Sequence, residues 1–166
     1  MKKLYVLLVD DDEDDCELFR YSCQESRLPC EIQALNDSRK VLSFLNEGSR
    51  LPDVVVLDMM MPAMNGLEVL RVLKKSPQLA QIPVVMYSSS ANERTVEQAY
   101  EYGAVAFVKK PHDLDEYVEM ATTIIHYWSQ LLFPEKSRSS TDIDEVYSSI
   151  SVEERLFSPR PGSAVV

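Results

Sequence analysis

The apolar run at residues 54–57 (VVVL) ends directly in Asp58, and this junction constrains the fold more than any other feature of the chain. Four consecutive β-favouring residues predict a strand that is buried on both faces, which is typical of a parallel sheet. In such sheets, ligand-binding side chains gather at the carboxyl ends of the strands. Asp58 is therefore predicted to lie at the edge where chemistry occurs, although a single aspartate after a strand is commonly a turn residue or a helix cap.

A second apolar strand, predicted at residues 4–9, runs into an acidic segment at residues 10–15. The acids at 12–15 are explained by the start of a helix, whose positive dipole end favours carboxylates. Asp10 and Asp11 lie instead where the strand emerges, and they converge with Asp58 if the two strands are neighbours. Two carboxylates about 4 Å apart repel by roughly 4 kcal/mol at an effective dielectric of about 20, so three of them require a counter-ion. Oxygen ligands that leave room for water and phosphate oxygens suit Mg²⁺.

Two further predicted strands also end in polar side chains. The strand at residues 82–87 delivers Ser88 to the same edge of the sheet, and the strand at residues 105–108 is followed by Lys109, Lys110 and Pro111. Taken singly, Ser88 could begin a loop and Lys110 could be a solvated surface charge. Together with the carboxylates, this hydroxyl and this ammonium form a set suited to metal-assisted handling of a phosphoryl group.

Strand and helix patterns alternate through the first part of the chain, which predicts an α/β fold. A second strand is predicted at residues 31–35, with Ser38 as the cap of the helix that follows. Gly103 is predicted to end the fourth helix, and each crossover implies a parallel neighbour. Five such units predict a doubly wound, five-stranded parallel sheet of the flavodoxin-like type, with strand order 2-1-3-4-5.

The turn that begins at Asp58 (DMMMPAMNG, residues 58–66) resembles the phospho-acceptor signature of response-regulator receiver domains, the receiving modules of two-component phosphorelays. The acidic pair, Ser88 and Lys110 match that family in order and spacing, and the resemblance covers residues 1–130. It implies that Asp58 accepts a phosphoryl group from a sensor histidine kinase or a histidine phosphotransfer protein. It also implies a regulator whose only catalysis is its own phosphorylation and dephosphorylation, not an enzyme.

The resemblance further implies which residues hold the metal. Asp11, Asp58 and the backbone carbonyl of Met59 would ligate Mg²⁺, and Asp10 would reach it mainly through water. A carboxylate nucleophile forms a mixed anhydride that keeps much of the free energy of the phosphodonor. Magnesium and Lys110 would neutralise the charge that spreads over the transferred group.

The resemblance also implies a switch. Ser88 would donate a hydrogen bond to the phosphoryl group, and Phe107 on the next strand would change rotamer in response. The family often has tyrosine at the position of Phe107, so this chain lacks a hydroxyl there. The output would be either relay of the phosphate or phosphate-controlled binding of a partner, and the sequence does not choose between them.

The last predicted helix keeps helical apolar spacing beyond the length that a small sheet needs. Trp128, Leu131, Leu132 and Phe133 are therefore predicted to project past the sheet, where exposed apolar clusters usually find a partner. The sequence thus predicts a homodimer through helix five.

Residues 131–166 are predicted to be a tail, because the composition shifts towards Ser, Arg, Glu and Pro and the segment is too short for its own core. It shows no likeness to a helix-turn-helix output module, so no DNA-binding domain is predicted. Thr141 and Asp144 could cap a short amphipathic helix. A mostly disordered tail with transient helix is the alternative.

The formal net charge of −10 argues against nucleic acid as a partner, because its phosphates would be repelled. The sequence contains neither a long apolar segment nor a complete signal peptide, which predicts a cytoplasmic protein without membrane association. Cys16, Cys23 and Cys30 are odd in number and seven apart, which fits neither a disulfide framework nor metal spacing. They are predicted to be structural.

Two alternatives compete with the receiver interpretation. The segment around Asp10 and Asp12 also resembles the start of a haloacid-dehalogenase-type phosphatase, with Asp10 as nucleophile. Such enzymes need a later acidic pair at a strand end, whereas Asp113 and Asp115 open a helix, and Asp58 would have no role. The second alternative is a pseudo-receiver without chemistry, which the complete residue set disfavours.

Overall fold

The computed structural model describes residues 3–131 of the chain. Strands and helices alternate from the first strand to the last helix, as the sequence predicts. A single 3-10 turn at Ser38–Lys40 precedes the second helix. The elements are β1 Leu4–Val9, α1 Glu13–Glu25, β2 Cys30–Leu35, α2 Val41–Glu47, β3 Val54–Asp58, α3 Gly66–Lys75, β4 Val84–Ser88, α4 Glu93–Glu101, β5 Ala106–Lys109 and α5 Leu114–Gln130.

All neighbouring strands of the sheet run parallel in the order β2-β1-β3-β4-β5. This order confirms the predicted doubly wound, flavodoxin-like fold. Val9 pairs with Leu57, and Asp58 pairs with Tyr87. The carboxyl ends of β1, β3 and β4 therefore meet at one edge of the sheet, which places the polar residues at those ends side by side.

The two faces of the sheet carry separate hydrophobic clusters, which explains the unbroken apolar strands. Val55 and Leu57 of β3 belong to the cluster that includes α2, α3 and α4. Val54 and Val56 belong to the cluster that includes α1 and α5. Because successive strand residues point to opposite faces, both alternating sets must be apolar when helices cover both sides.

The prediction that Trp128 projects beyond the sheet is wrong. Trp128 is only 8% exposed and packs in the cluster of α1 and α5, together with Ile124 and Ile125 of its own helix. It continues the i, i+3, i+4 stripe of α5, and this stripe packs in the cluster that α1 and the strands share. Tyr127 and Leu131 are exposed at this end of the helix. The predicted contributions of Leu132 and Phe133 lie outside the described residues, as does the predicted tail.

The cap of the turn after β2 also differs from the prediction. Asp37, not Ser38, accepts hydrogen bonds at this position, from the backbone N–H of Arg39. Ser38 is buried, and its hydroxyl donates to the carbonyl oxygen of Pro62 at 3.4 Å. Among residues 3–131, no helix is both long enough and apolar enough to cross a membrane.

Candidate functional site: an acidic pocket at the carboxyl edge of the sheet

The structure brings together the three carboxylates that the sequence places at the ends of β1 and β3. Oxygens of Asp10, Asp11 and Asp58 lie within 4.8 Å of one another. Asp10 and Asp58 are buried, whereas Asp11 is exposed. Three hard oxygen donors at this spacing, one of them open to solvent, match the ligand preference of Mg²⁺ or Mn²⁺.

Lys110 supplies positive charge to the same pocket. Its ammonium nitrogen lies 2.7 Å from Oδ2 of Asp10, 2.8 Å from Oδ2 of Asp15 and 3.1 Å from Oδ1 of Asp58. Burial alone would lower the pKa of Lys110, but the hydrogen bonds to Asp10 and Asp15 and the charges of Asp10 and Asp58 outweigh it and raise this pKa. Lys110 is therefore a permanent cation in the pocket.

Asp58 is the carboxylate that the pocket perturbs most clearly. Burial raises the pKa of Asp58 to about 6, the charges of Asp10 and Asp11 act in the same direction, and the charge of Lys110 opposes them. Oδ2 of Asp58 accepts a hydrogen bond from the backbone N–H of Met60 at 3.1 Å. The carboxyl is thus oriented by the chain that follows it, and at neutral pH it is a buried carboxylate.

Asp10 is held by three donors from different parts of the chain. Its Oδ1 accepts from the backbone N–H of Asp12 at 3.0 Å, and its Oδ2 accepts from Lys110 and from the hydroxyl of Tyr87. Tyr87 is fully buried, and the Lys110 ammonium lies 4.3 Å from the centroid of its ring. The Tyr87 side chain therefore contacts both the Asp10 carboxylate and the Lys110 ammonium.

The backbone carbonyl of Met59 lies at the start of the turn after Asp58. It accepts a hydrogen bond from the N–H of Gly66 at 3.0 Å. A carbonyl oxygen has a second lone pair, so this bond leaves one acceptor position for a cation. Gly66 is also the first residue of α3, and the helix therefore starts in direct contact with the end of β3.

Ser88 and Phe107, the two predicted switch residues, lie on the neighbouring strands β4 and β5. Ser88 is buried at the end of β4, and its hydroxyl donates to the carbonyl oxygen of Ser90 at 2.8 Å. Phe107 on β5 packs against the cluster of α2, α3 and α4 and stays partly exposed. Its backbone N–H donates to the hydroxyl of Tyr100 at 3.2 Å. In this state the Ser88 hydroxyl is engaged by its own loop and not by the carboxylates.

Comparison with known proteins gives the same picture. Residues 6–122 match the family model described as the response regulator receiver domain. The chain belongs to the response regulator receiver family. Response regulator Rcp1 of Synechocystis sp. is 31% identical over 128 residues, which is 74% of this chain and 87% of that protein.

Solved receiver structures superpose on the model. The Mn²⁺-bound form of response regulator Rcp1 gives a TM-score of 0.73 at 30% identity, covering 79% of this chain and 99% of that one. The phosphorylated cyanobacterial phytochrome response regulator RcpA also gives 0.73, at 26% identity, covering 78% of this chain and 96% of that one. Because the family model that matches residues 6–122 is that of a receiver, the dehalogenase-type alternative is left without support.

The sequence does not predict two residues of this receiver pocket. The pattern explains Asp15 only by the helix dipole, yet its carboxylate binds Lys110. The pattern explains Tyr87 only as part of an apolar strand, yet its hydroxyl binds Asp10. Asp15 lies one helical turn after Asp11, on the side from which a side chain reaches back over the start of α1, and this spacing is a signal that could have identified it.

The hydrogen bond from Tyr87 gives a measurable prediction. In the Tyr87→Phe variant, Asp10 loses a buried hydrogen bond to a charged acceptor, so the free energy of unfolding is expected to fall by about 2 kcal/mol. Urea unfolding followed by circular dichroism, without divalent cations, measures this change. Tyr21→Phe is the control, because Tyr21 is an exposed tyrosine of α1 that lies outside the pocket. Equal losses in the two variants would contradict a specific role for the Tyr87 hydroxyl.

Proposed function

We propose that Asp58 is the phospho-acceptor of this response regulator. The observation that carries the proposal is the position of the Asp58 carboxyl, which is buried at the end of β3 and lies 3.1 Å from the Lys110 ammonium, within a group of three carboxylates. One oxygen of Asp58 attacks the phosphorus of a phosphohistidine, the phosphorus–nitrogen bond breaks, and the histidine nitrogen keeps the electron pair. The attacking form is the carboxylate, which predominates above pH 6 or so.

We further propose that Mg²⁺ occupies the pocket, with Asp11, Asp58 and the Met59 carbonyl as direct ligands and Asp10 as a ligand through water. The donor set supports this, since it consists only of oxygens. The Mn²⁺-bound structure of the similar regulator Rcp1 supports a divalent cation site as well. When bound, the ion supplies charge neutralisation for the phosphoryl oxygens.

The other residues of the pocket position and stabilise the phosphoryl group in this proposal. Lys110 already lies beside the nucleophile and donates to a phosphoryl oxygen. Ser88 exchanges its bond to the Ser90 carbonyl for a bond to the phosphoryl group, which draws its loop inward. Phe107 then changes its packing. A few charge-assisted hydrogen bonds of about 1.5–3 kcal/mol each could shift such a two-state equilibrium substantially.

Receivers exchange phosphoryl groups with histidine kinases or phosphotransfer proteins, and we propose such a donor for this chain. Its catalysis is proposed to be limited to its own phosphorylation and dephosphorylation. We propose that residues 1–130 form the receiver unit and that residues 131–166 form a tail without a DNA-binding module. We also propose that the protein is cytoplasmic and does not bind nucleic acid. We also propose a homodimer through α5. Because Trp128 is buried, the contact surface would be smaller than the sequence predicts and would include Tyr127 and Leu131.

The phospho-acceptor is tested by incubating the full chain with acetyl phosphate and Mg²⁺ and locating the adduct by peptide mass spectrometry. We expect one phosphoryl group, on the peptide containing Asp58, and none when the cation is chelated. Label on Asp10 and not on Asp58 would contradict the proposed phospho-acceptor. Light scattering of the same samples tests the homodimer, and a monomer at high protein concentration in both phosphorylation states would contradict it.

Three variants sharpen this experiment. Asp58→Asn is expected to remove the label, and Asp11→Asn is expected to raise the Mg²⁺ concentration needed for half-maximal labelling by about tenfold or more. Asp14→Asn is the matched control, because Asp14 is an exposed acid of the same segment that does not belong to the carboxylate group. Its labelling should equal that of the unmodified chain.

A further inference from the structure

Two of the three cysteines lie together on the far side of the sheet from α3, away from the acidic pocket. Cys23 is buried in the last turns of α1, and Cys30 is the first residue of β2 and is half-buried. The Cys30 thiol lies 4.0 Å from the carbonyl oxygen of Cys23, so the two cysteines are direct neighbours. Their contact was not expected from a spacing of seven residues.

The short turn between α1 and β2 explains why these thiols meet. Arg27 has a left-handed backbone conformation, with φ of 55°. The Ser26 hydroxyl ends the helix by donating to the Cys23 carbonyl and accepting from the N–H of Leu28. The chain therefore reverses directly, and β2 starts beside the last turn of the helix that it follows. Both sulfurs are thus held by regular elements and not by a loose loop.

We propose that Cys23 and Cys30 form a reversible intramolecular disulfide when the protein reacts with a hydroperoxide, which makes this pair a modification site separate from the phospho-acceptor pocket. The Cys30 thiolate attacks one peroxide oxygen, the oxygen–oxygen bond breaks, and hydroxide leaves, giving a sulfenic acid at Cys30. The Cys23 thiol then attacks the Cys30 sulfur and water leaves. Two thiols are oxidised and one hydrogen peroxide is reduced to two waters.

The environments of the two sulfurs assign these roles. The neighbouring Cys23 thiol lowers the pKa of Cys30, and the nearby charge of Lys3 acts in the same direction. The Cys30 thiol and burial both raise the pKa of Cys23. Cys30 is also the more exposed of the two, so it is the thiol that ionises first and that peroxide reaches first. Cys23 is then the resolving thiol.

Cys16 provides an internal comparison within the same helix. It is buried, and its thiol donates to the backbone carbonyl of Asp10 at 3.5 Å. Burial and the charge of Asp10 raise the pKa of Cys16 to about 11. Unlike Cys30, Cys16 carries little of the thiolate that starts the reaction with peroxide, so Cys16 is expected to stay reduced under conditions that link the other two.

The test treats the reduced full chain with a small excess of hydrogen peroxide, blocks remaining thiols with N-ethylmaleimide, and analyses tryptic peptides without reduction. Cleavage after Arg20, Arg27 and Arg39 separates the peptides at 21–27 and 28–39, each with one cysteine of the pair. We expect these two peptides to be joined within one chain, dithiothreitol to separate them, and Cys16 to react more slowly by on the order of tenfold or more.

Three results would overturn the proposal: oxidation of Cys30 to a sulfinic acid without a link, a link between chains, or loss of the Cys16 thiol at a similar rate. Cys16→Ser is the matched control and should form the same linked pair. Cys30→Ser should leave Cys23 reactive towards maleimide once the chain is denatured. In guanidinium the three thiols of the unmodified chain should oxidise at similar rates, which separates the folded geometry from intrinsic reactivity.

Discussion

Replacing Gly66 by alanine is expected to lower the free energy of unfolding by about 3 kcal/mol or more. A Cβ atom at this position would lie 2.3 Å from the carbonyl oxygen of Asp58 and 2.9 Å from Cα of Met59. Both are backbone atoms, so no side-chain rotation relieves the overlap. Since β3 is the central strand of the sheet, α3 would have to move away from it, and the bond from the Gly66 N–H to the Met59 carbonyl would be lost.

The effect of this change is measured by guanidinium unfolding followed by far-ultraviolet circular dichroism. The control is Gly48→Ala, because Gly48 has a φ of −62°, which any residue can adopt. Its expected change is within about 1 kcal/mol. A Gly66→Ala protein as stable as the control would show that α3 does not need this close approach. The Gly66→Ala variant should also be defective in phosphorylation, because the turn after Asp58 depends on the close approach of Gly66 to the end of β3.

Replacing Asp58 by asparagine is expected to stabilise the protein when divalent cations are removed. Asp58 is only 3% exposed, and its pKa rises from 3.8 to about 6 on folding. This difference corresponds to roughly 3 kcal/mol, and because water beside the exposed Asp11 screens the charges of the pocket we expect about 2 kcal/mol. Asparagine keeps an acceptor for the Met60 N–H, while Lys110 retains Asp10 and Asp15.

The pH dependence of this stabilisation follows from the direction of the shift. Because the pKa of Asp58 is higher in the folded protein than in the unfolded chain, its neutral form supports folding at low pH, and that contribution is lost as the pH rises through about 6. The advantage of the Asp58→Asn variant should therefore be largest above pH 7. It should shrink between pH 6 and pH 4, where the carboxyl of the unmodified protein becomes protonated.

Thermal unfolding in chelator at several pH values tests this expectation. At pH 7.5 the midpoint of Asp58→Asn should be about 5–10 °C higher than that of the unmodified chain. Added Mg²⁺ should reduce the difference between the two midpoints. The unmodified protein is expected to bind the ion more tightly than the variant, so the ion stabilises it more. The exposed control Asp14→Asn should show no such gain. An Asp58→Asn midpoint below that of the unmodified protein at pH 7.5 would mean that the Lys110 ion pair outweighs the burial of the carboxylate.

Much of the fold could be predicted because each local pattern has a single physical solution. Val54 and Val55 point to opposite faces and are both buried, so an apolar run of this kind requires helices on both sides of the strand. Right-handed crossovers then determine which strand ends meet. For this reason, Asp10 and Asp58 could be placed together from the sequence alone, before any distance was known.

The contacts that could not be predicted depend on side-chain direction and on the reach of individual residues. In the sequence, Tyr87 is one more aromatic residue of a buried strand. The pairing of β4 with β3 places Tyr87 beside Asp58, and from there its hydroxyl reaches Asp10. The burial of Trp128 depends on where the sheet face ends, which periodicity does not give. The contact between Cys23 and Cys30 depends on the tightness of the turn at Arg27, which is set by a left-handed residue that is not glycine.

The three ion pairs of Lys110 have a consequence for how the pocket responds to its surroundings. The pocket carries its own counter-charge, so a divalent cation that bound there would compete with the ammonium for Asp10 and Asp58. Part of the attraction between the carboxylates and the ion would then be used to weaken these two ion pairs. A weakened ammonium would be more available to pair with an anion that enters the pocket next.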